Sequence, residues 1–521
     1  MGIVFTDEQN YQDIADAIRS KNGSSDTYLP SEMADAIMDI SGGGSSNPED
    51  ADVIFFDYDG SIMYTFTAEE ALALEAMPFF NDAGLWDSDG LHGRGWNYSL
   101  AQLKDTVRAC GKCYVGTMYV PNDWTSTYIV VEFKDGRHSP YLGIAPKGTI
   151  IINWGDNSEE QTITGTSTTS VKYTFHEFPA DGKYRIKIRT DSGTGFGMVG
   201  SSSLTKILTV ESASNSANDW IYSSAVKAVN EGFSSIYSTS ASYSGALNGC
   251  KNLESVSFHE YWGGIPSNFM LNCYSLYSLA LPLKLEGTMT IGTTSFQNCY
   301  SLKWLSISPC VTSIGASAFS KCISLQNIVI PSSVTSIGTS AFENCTSLQN
   351  AFIASSTIGT YAFRYCYSLQ NVTLTSSVTS IGSSAFYQCG SLQNIILPSS
   401  ITSISDNAFY GCYLLQNITI PPSITKLNTA TFSNCSKLQN ITIPSLVTEI
   451  GTNCFASCYG LHEIHLKPTT PPTLTSTSFG IKADCIIYVP YSADHSILTA
   501  YQEASNWATY ASYMREEEPS A

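Results

Sequence analysis

The stretch C-I-S-L-Q-N-I-V-I-P-S-S-V-T-S-I-G-T-S-A-F-E-N (Cys322–Asn344) is one unit of a pattern that recurs through the second half of the chain. Cys299, Cys322, Cys345, Cys366, Cys389, Cys412, Cys435 and Cys458 follow at intervals of 23, 23, 21, 23, 23, 23 and 23 residues. Cys250 and Cys273, also 23 apart, continue the series upstream. A Phe stands three residues before each Cys from Phe296 to Phe455, and a Leu three residues after each, from Leu302 to Leu461. A period this short implies a solenoid in which each repeat stacks on its neighbour. L-Q-N-I-V-I alternates like a strand, and Pro331 ends it. V-T-S-I-G reads as a second extended piece. Its Gly recurs at 315, 338, 359, 382 and 451, with Asn428 in its place once, which suggests a bend at positive φ. S-A-F-x-x-C is expected to close the coil as one helical turn. The Cys column is expected to be a core of stacked thiols, because copies one strand spacing apart, about 5 Å, would be strained by continuous bridging.

These positions resemble the BspA-like leucine-rich repeat family over residues 245–466. The resemblance implies a fold that is multidomain and mostly β, with a leucine-rich-repeat solenoid of 23-residue period. One unit departs: F-I-A-S-S-T-I-G lacks two residues, so its loop should be shorter. P-T-T-P-P (468–472) breaks the pattern, and residues 467–521 read as a cap. In it, a last strand (Cys485–Val489) and an amphipathic helix with Tyr501, Trp507 and Tyr510 would cover the end of the core.

The segments before the array read differently. Residues 1–40 pattern as a helical hairpin with narrow apolar stripes, and S-G-G-G-S-S-N-P-E-D (41–50) as a linker. The hairpin resembles N-terminal segments of phage tail proteins, which implies attachment to other virion tail proteins. Residues 51–113 read as a small α+β module, and 193–244 as an irregular transition. Residues 114–192 carry Trp154-Gly155-Asp156, an aromatic strand, then G-K-Y-R-I-K-I. That order is similar to the polycystic-kidney-disease type of immunoglobulin-like β-sandwich, with Asn157 in place of the usual Gly after W-G-D.

A net charge of −19 argues against nucleic acid as a partner, since phosphates reward Lys and Arg. No apolar run is long enough for membrane insertion, and the first residues show no basic region followed by an apolar core. The reading is therefore a chain made in a reducing cytoplasm, with its 15 Cys as thiols.

V-I-F-F-D-Y-D-G-S-I-M (Val53–Met63) resembles the first motif of haloacid dehalogenase-like hydrolases, which would make Asp57 a nucleophile and Asp59 a proton handler. That chemistry needs a doubly wound core, for which the following residues are too few. Two strands joined at an Asp-Gly corner account for the same residues. Cys110 and Cys113 form a lone C-x-x-C without a second ligand pair, and His462 and His465 lie on opposite faces of a strand. Ser492, Asp494 and His495 are too close in sequence for a catalytic triad. The expectation is no enzyme, no cofactor and no metal.

What remains is surface. From Cys299 to Gly460 the only charges are Lys303, Lys321, Glu343, Arg364, Asp406, Lys426, Lys437 and Glu449. Tyr300, Tyr365, Tyr367, Tyr387, Tyr410, Tyr413 and Tyr459 flank the Cys positions and would align as aromatic ribbons. Tyr buries large area at low entropic cost, so the ribbons suit a host surface glycan or protein; packing over neighbouring turns is the alternative. The recurrent Gln-Asn pairs read as structural amide ladders. The sequence thus points first to a phage tail-associated receptor-binding protein, assembled in the bacterial cytoplasm and carried on the virion. The alternative is a bacterial cell-surface adhesin of the same repeat family. Homo-oligomerisation stays open.

Overall fold

The computed structural model describes residues 51–56, 62–78, 91–121, 126–133, 141–166, 172–180, 182–190, 196–200, 207–212, 228–231, 248–249, 251, 255–258, 264–281, 287–475 and 478–518. The expected hairpin (1–40), the linker (41–50) and the turn carrying Asp57 and Asp59 lie outside these residues. The chain forms two compact units. The first is Met1–Gly263, Cys273–Thr288 and Trp304–Cys310; the second is Gly264–Asn272, Met289–Lys303 and Val311–Ala521.

The first unit opens with β1 (Val53–Phe56), β2 (Ile62–Phe66), α1 (Ala68–Ala73), β3 (Leu91–Trp96), α2 (Leu100–Cys110) and β4 (Cys113–Pro121). Both helices start on reciprocal capping boxes, Thr67 with Glu70 and Ser99 with Gln102, which satisfy otherwise orphaned amides. The sheet order is β2-β1-β4-β3. β1 and β2 pair antiparallel, as V-I-F-F and I-M-Y-T-F suggested. β1 also pairs in parallel with β4, so this sheet runs past residue 113 into the stretch expected to open the sandwich. Phe55, Tyr64, Phe66, Trp96, Leu103 and Val107 form one core, with the Phe55 and Trp96 rings edge-on at 4.8 Å.

Residues around β4 also cover two parallel strands of repeat type, Ser278–Ala280 and Trp304–Ser306. The buried Asn97 amide donates to Leu281 O (2.9 Å) and Ser306 Oγ (2.8 Å), while its Oδ1 accepts from Gly116 N. Ser306 Oγ donates to Tyr114 O, and Tyr98 Oη donates to Ile307 O (2.7 Å). Gly116 has no room for a Cβ beside Ala280. Nothing in the spacing of W-N-Y announced this polar seam, because a buried Asn carries no periodic signal.

The next strands are linked into one nine-stranded set. Tyr141–Asn153 is its spine and pairs with Gly182–Thr190, Phe196–Gly200, Gln161–Thr166 and Lys172–Phe175. At the W-G-D turn, Trp154 is buried and His176 stacks on it at 4.7 Å. Asp156 Oδ2 accepts from His176 Nε2 at 2.6 Å. Burial of Asp156 raises its pKa, but bonds from His176 and Ser158 outweigh this and lower it to about 2. Asn157 takes φ 67°, the conformation anticipated for it. Ile207–Ser212, Ala228–Glu231 and Ser255–Phe258 then run parallel, so repeat-like pairing begins ahead of residue 245.

The second unit is the solenoid, mostly β. Each turn gives one strand to each of two parallel ladders: Asn327 pairs with Asn350 and Asn350 with Asn371 in one, Ser336 with Thr357 and Thr357 with Ser380 in the other. The short unit keeps both registers by shortening its loop to residues 354–356, against 331–335 in the preceding unit. Phe296 to Phe479 form one column of parallel rings 5.1 to 5.6 Å apart. The Cys column beside it consists of buried free thiols. Each thiol donates to a carbonyl of the preceding turn: Cys322 to Phe296, Cys345 to Phe319, and so on to Cys458 to Phe432, at 3.0 to 3.4 Å. Burial pushes the Cys345 and Cys458 thiols up to about 12.

Two local expectations are corrected. The Ile-Gly glycines do not take positive φ. They are glycines because backbones touch: a Cβ on Gly338 would lie 2.6 Å from the Gly315 carbonyl carbon. Ser405 and Asn428 break this column, and the ladder breaks with it between Ser403–Ile404 and Lys426–Leu427. There the Asn428 side-chain amide donates to Ile404 O at 2.6 Å, the role that backbone amides play at Gly382 and Gly451.

The S-A-F-x-x-C piece is not a helical turn. The residue two before each Phe and the residue one before each Cys are left-handed, as at Ser340 (φ 56°) and Asn344 (φ 61°). Alternate amides therefore point along the axis to the next turn: Ser340 N to Thr360 O, Phe342 N to Ala362 O, Asn344 N to Arg364 O, at 2.8 to 2.9 Å. The amides between them close tight turns, such as Glu343 N to Ser340 O. From Ser340 to Cys345 every backbone amide is used, which offsets the cost of the left-handed residues.

The end of the core is covered. Ile486–Val489 adds a strand beside Glu463–Leu466, and Met514–Glu516 adds one more. The helix α3 (Ser496–Glu503) is shorter than expected: Tyr501 lies on it, Trp507 follows it, and Tyr510 sits in a 3-10 turn. Trp507 packs on Phe479 at 5.8 Å and donates Nε1 to Pro472 O (2.7 Å).

Candidate functional site

The left-handed edge carries the aromatic residues. The two residues ahead of each Cys are Ser320-Lys321 and Glu343-Asn344, then Arg364-Tyr365, Tyr387-Gln388 and Tyr410-Gly411, then Ser433-Asn434. Three successive turns thus place a ring where their neighbours have small or polar side chains. The Tyr387 and Tyr410 rings are parallel within 5° and 4.7 Å apart. Tyr365 meets Tyr387 edge-on at 5.8 Å and Tyr367 at a tilt, also at 5.8 Å. Burial first, then its phenolic neighbours Tyr410 and Tyr365, raises the Tyr387 pKa.

The Arg364 guanidinium lies over the rings of Tyr361 (4.7 Å) and Tyr365 (4.5 Å), within cation–π range. Its Nε is 3.1 Å from Glu343 Oε1, an ionic contact without the angle of a hydrogen bond. Tyr361 (φ 58°) and Tyr365 (φ 63°) are aromatic residues in left-handed positions, where other turns use Asn344, Asn407 or Asn434. A bulky side chain there is a costly choice, and such strain clusters at functional sites.

Two glycines make room. A Cβ on Gly390 would meet Tyr413 at 3.2 Å, and one on Gly411 would meet Gln388 Nε2 at 2.8 Å. Tyr413 thereby lies across the preceding turn and donates Oη to Gln388 Oε1 (2.9 Å). The structure therefore brings together Tyr365, Tyr367, Tyr387, Tyr410 and Tyr413. Tyr300 and Tyr459 stand in the column of Tyr367 and Tyr413 but in other turns, and Tyr459 bonds locally to Ser457. Tyr361, Arg364 and Glu343 were missed from the sequence. Their signal lay in reading down columns rather than picking out Tyr alone.

The amide ladder is present where Asn350 Nδ2 donates to Asn327 Oδ1 (2.7 Å) and Asn371 Nδ2 to Asn350 Oδ1 (2.9 Å). Among the described residues no group of three or more His, Cys, Asp or Glu is placed to hold a metal, and no helix is long and apolar enough to cross a membrane.

Fold and edge together define a leucine-rich-repeat solenoid with one aromatic face. The family model for the BspA type leucine rich repeat region matches at residues 200–289, 265–357, 289–401 and 356–480, in six copies. These matches span more than half of the chain, and the chain belongs to that family. No curated protein sequence matches it. Among solved structures, it is similar to a T. pallidum leucine-rich repeat protein at 27% identity, covering 35% of this chain and 77% of that one, with a TM-score of 0.27. A leucine-rich repeat protein from Bacteroides ovatus matches at 17% identity over 63% of this chain and 97% of its own, with a TM-score of 0.35. A leucine-rich cell surface protein from Faecalibacterium prausnitzii matches at 22% identity over 57% and 93%, with a TM-score of 0.28.

Proposed function

We propose that this chain is a bacterial cell-surface adhesin of the BspA-type repeat family, a binding protein rather than an enzyme. Its ligand is a glycan or protein on a host surface, and its contact face is the left-handed edge around Tyr365, Tyr367, Tyr387 and Tyr410. One observation carries this reading: rings are concentrated in three successive turns of an almost uncharged array. A purely structural edge would not need aromatic residues in left-handed positions. The family, whose members are often cell-surface proteins, supports the placement. The virion-tail placement, drawn from the resemblance of residues 1–40, the lack of a signal pattern and the same Tyr-rich array, stands second. Fractionating the producing cell and labelling its surface with antibody tests the placement. Signal on intact cells is expected. Label found only on phage particles would replace it with the virion reading.

A further inference from the structure

The chemistry of the ring cluster narrows the ligand, an inference that rests on the adhesin reading of the same edge. Ring faces attract cations, but here the cation is already supplied: Arg364 lies over Tyr361 and Tyr365. An incoming cation would displace it and gain little. An anion would have to compete with Glu343, which sits 3.1 Å from the Arg364 Nε. The Tyr361 and Tyr365 faces are thus already taken by a neutralised ion pair, and the Tyr387–Tyr410 pair is the one left to a ligand.

What it offers is a flat platform with a polar rim. One face of Tyr410 is stacked on Tyr387. The next residue down its column is Ser433, so no ring of that column covers the other face. Beside the platform stand the Gln388 amide, held by Tyr413, and the Asn434 amide, which donates to Ser433 Oγ at 3.4 Å. A ligand that fits has a flat apolar face, hydroxyls around its edge and no charge. Successive turns repeat at about one strand spacing, ~4.8 Å.

We propose that the Tyr387–Tyr410 pair, with the Arg364–Glu343 ion pair behind it, is a subsite for an uncharged pyranose glycan whose ring stacks on Tyr410 opposite Tyr387. The test is a panel of neutral oligosaccharides (chitopentaose, mannopentaose and cellopentaose) and sialylated oligosaccharides, titrated against the full chain. The expected result is binding of at least one neutral member. Tyr410→Ala should weaken it by about tenfold or more, and Tyr410→Phe, which keeps the ring, should weaken it less. Thermal unfolding of each variant checks that the fold is intact. Binding of sialylated members only, or neutral binding unchanged in Tyr410→Ala, overturns the proposal. Adhesion to cells that survives periodate, is lost on protease treatment, and is lost in Tyr387→Ala/Tyr410→Ala also overturns the glycan. That last outcome leaves the adhesin reading standing with a protein ligand.

Discussion

Tyr387 and Tyr410, 23 residues apart, hold their rings parallel within 5° at 4.7 Å on an edge that carries Arg364-Tyr365 one turn before them and Ser433-Asn434 one turn after. Both are half-buried, so they are rigid without being core. Replacing both with Ala should remove ligand contact while the Phe and Cys columns stay intact. The loss of affinity should be about tenfold or more, read by titration, while unfolding stays cooperative; loss of the stacked pair costs about 1 kcal/mol beyond the area the two rings bury.

The glycine column makes a sharper stability prediction. Gly338→Ala would press a methyl into the Gly315 backbone, with no flexible side chain to move aside. Overpacking of this kind costs about 1–3 kcal/mol, and two backbones in contact put it toward the upper end. Chemical denaturation of Gly338→Ala against wild type measures it.

The thiol column predicts both reactivity and pH dependence. Dry thiols with raised pKa values should resist disulfide-forming and alkylating reagents in the native state and react after unfolding. Folded thiols hold their protons more tightly than unfolded ones. Their contribution is therefore complete below the ordinary thiol range near 9, and is lost as pH rises from there through about 12. Thermal midpoints measured from pH 8 to 11 should fall, and Cys345→Ala should flatten the fall while lowering the midpoint at pH 8.

The cap predicts an end effect. Trp507 covers Phe479, the last ring of the column, and its Nε1 bond to Pro472 O anchors it. Trp507→Ala should cost about 3–5 kcal/mol and promote association through the opened end. Light scattering alongside denaturation tests this.

Much of this was legible because a solenoid writes its core directly into spacing. Phe, Cys and Leu at fixed intervals name the buried columns, and each of them is buried in the structure. The signal fades where the cause is backbone geometry. The recurrent Gly suggested a positive φ, whereas the constraint is contact between neighbouring turns. S-A-F-x-x-C suggested a helix, because Ser and Asn serve in caps as readily as in left-handed turns. The aromatic edge was half legible: the Tyr residues stood out, but Arg364 and Glu343 looked like stray charges until the fold set them against the rings. Asn97 had no periodic context at all, and its role in the first unit appears only once the strands it joins are adjacent.

The most direct test of the central claim uses beads coated with the full chain or with Tyr387→Ala/Tyr410→Ala, applied to a panel of eukaryotic and bacterial cells. The account predicts adherence of the wild-type beads to at least one cell type, reduced about tenfold or more for the variant, which still unfolds cooperatively well above the assay temperature. Equal adherence of both beads, or adherence of neither to any cell, would contradict it.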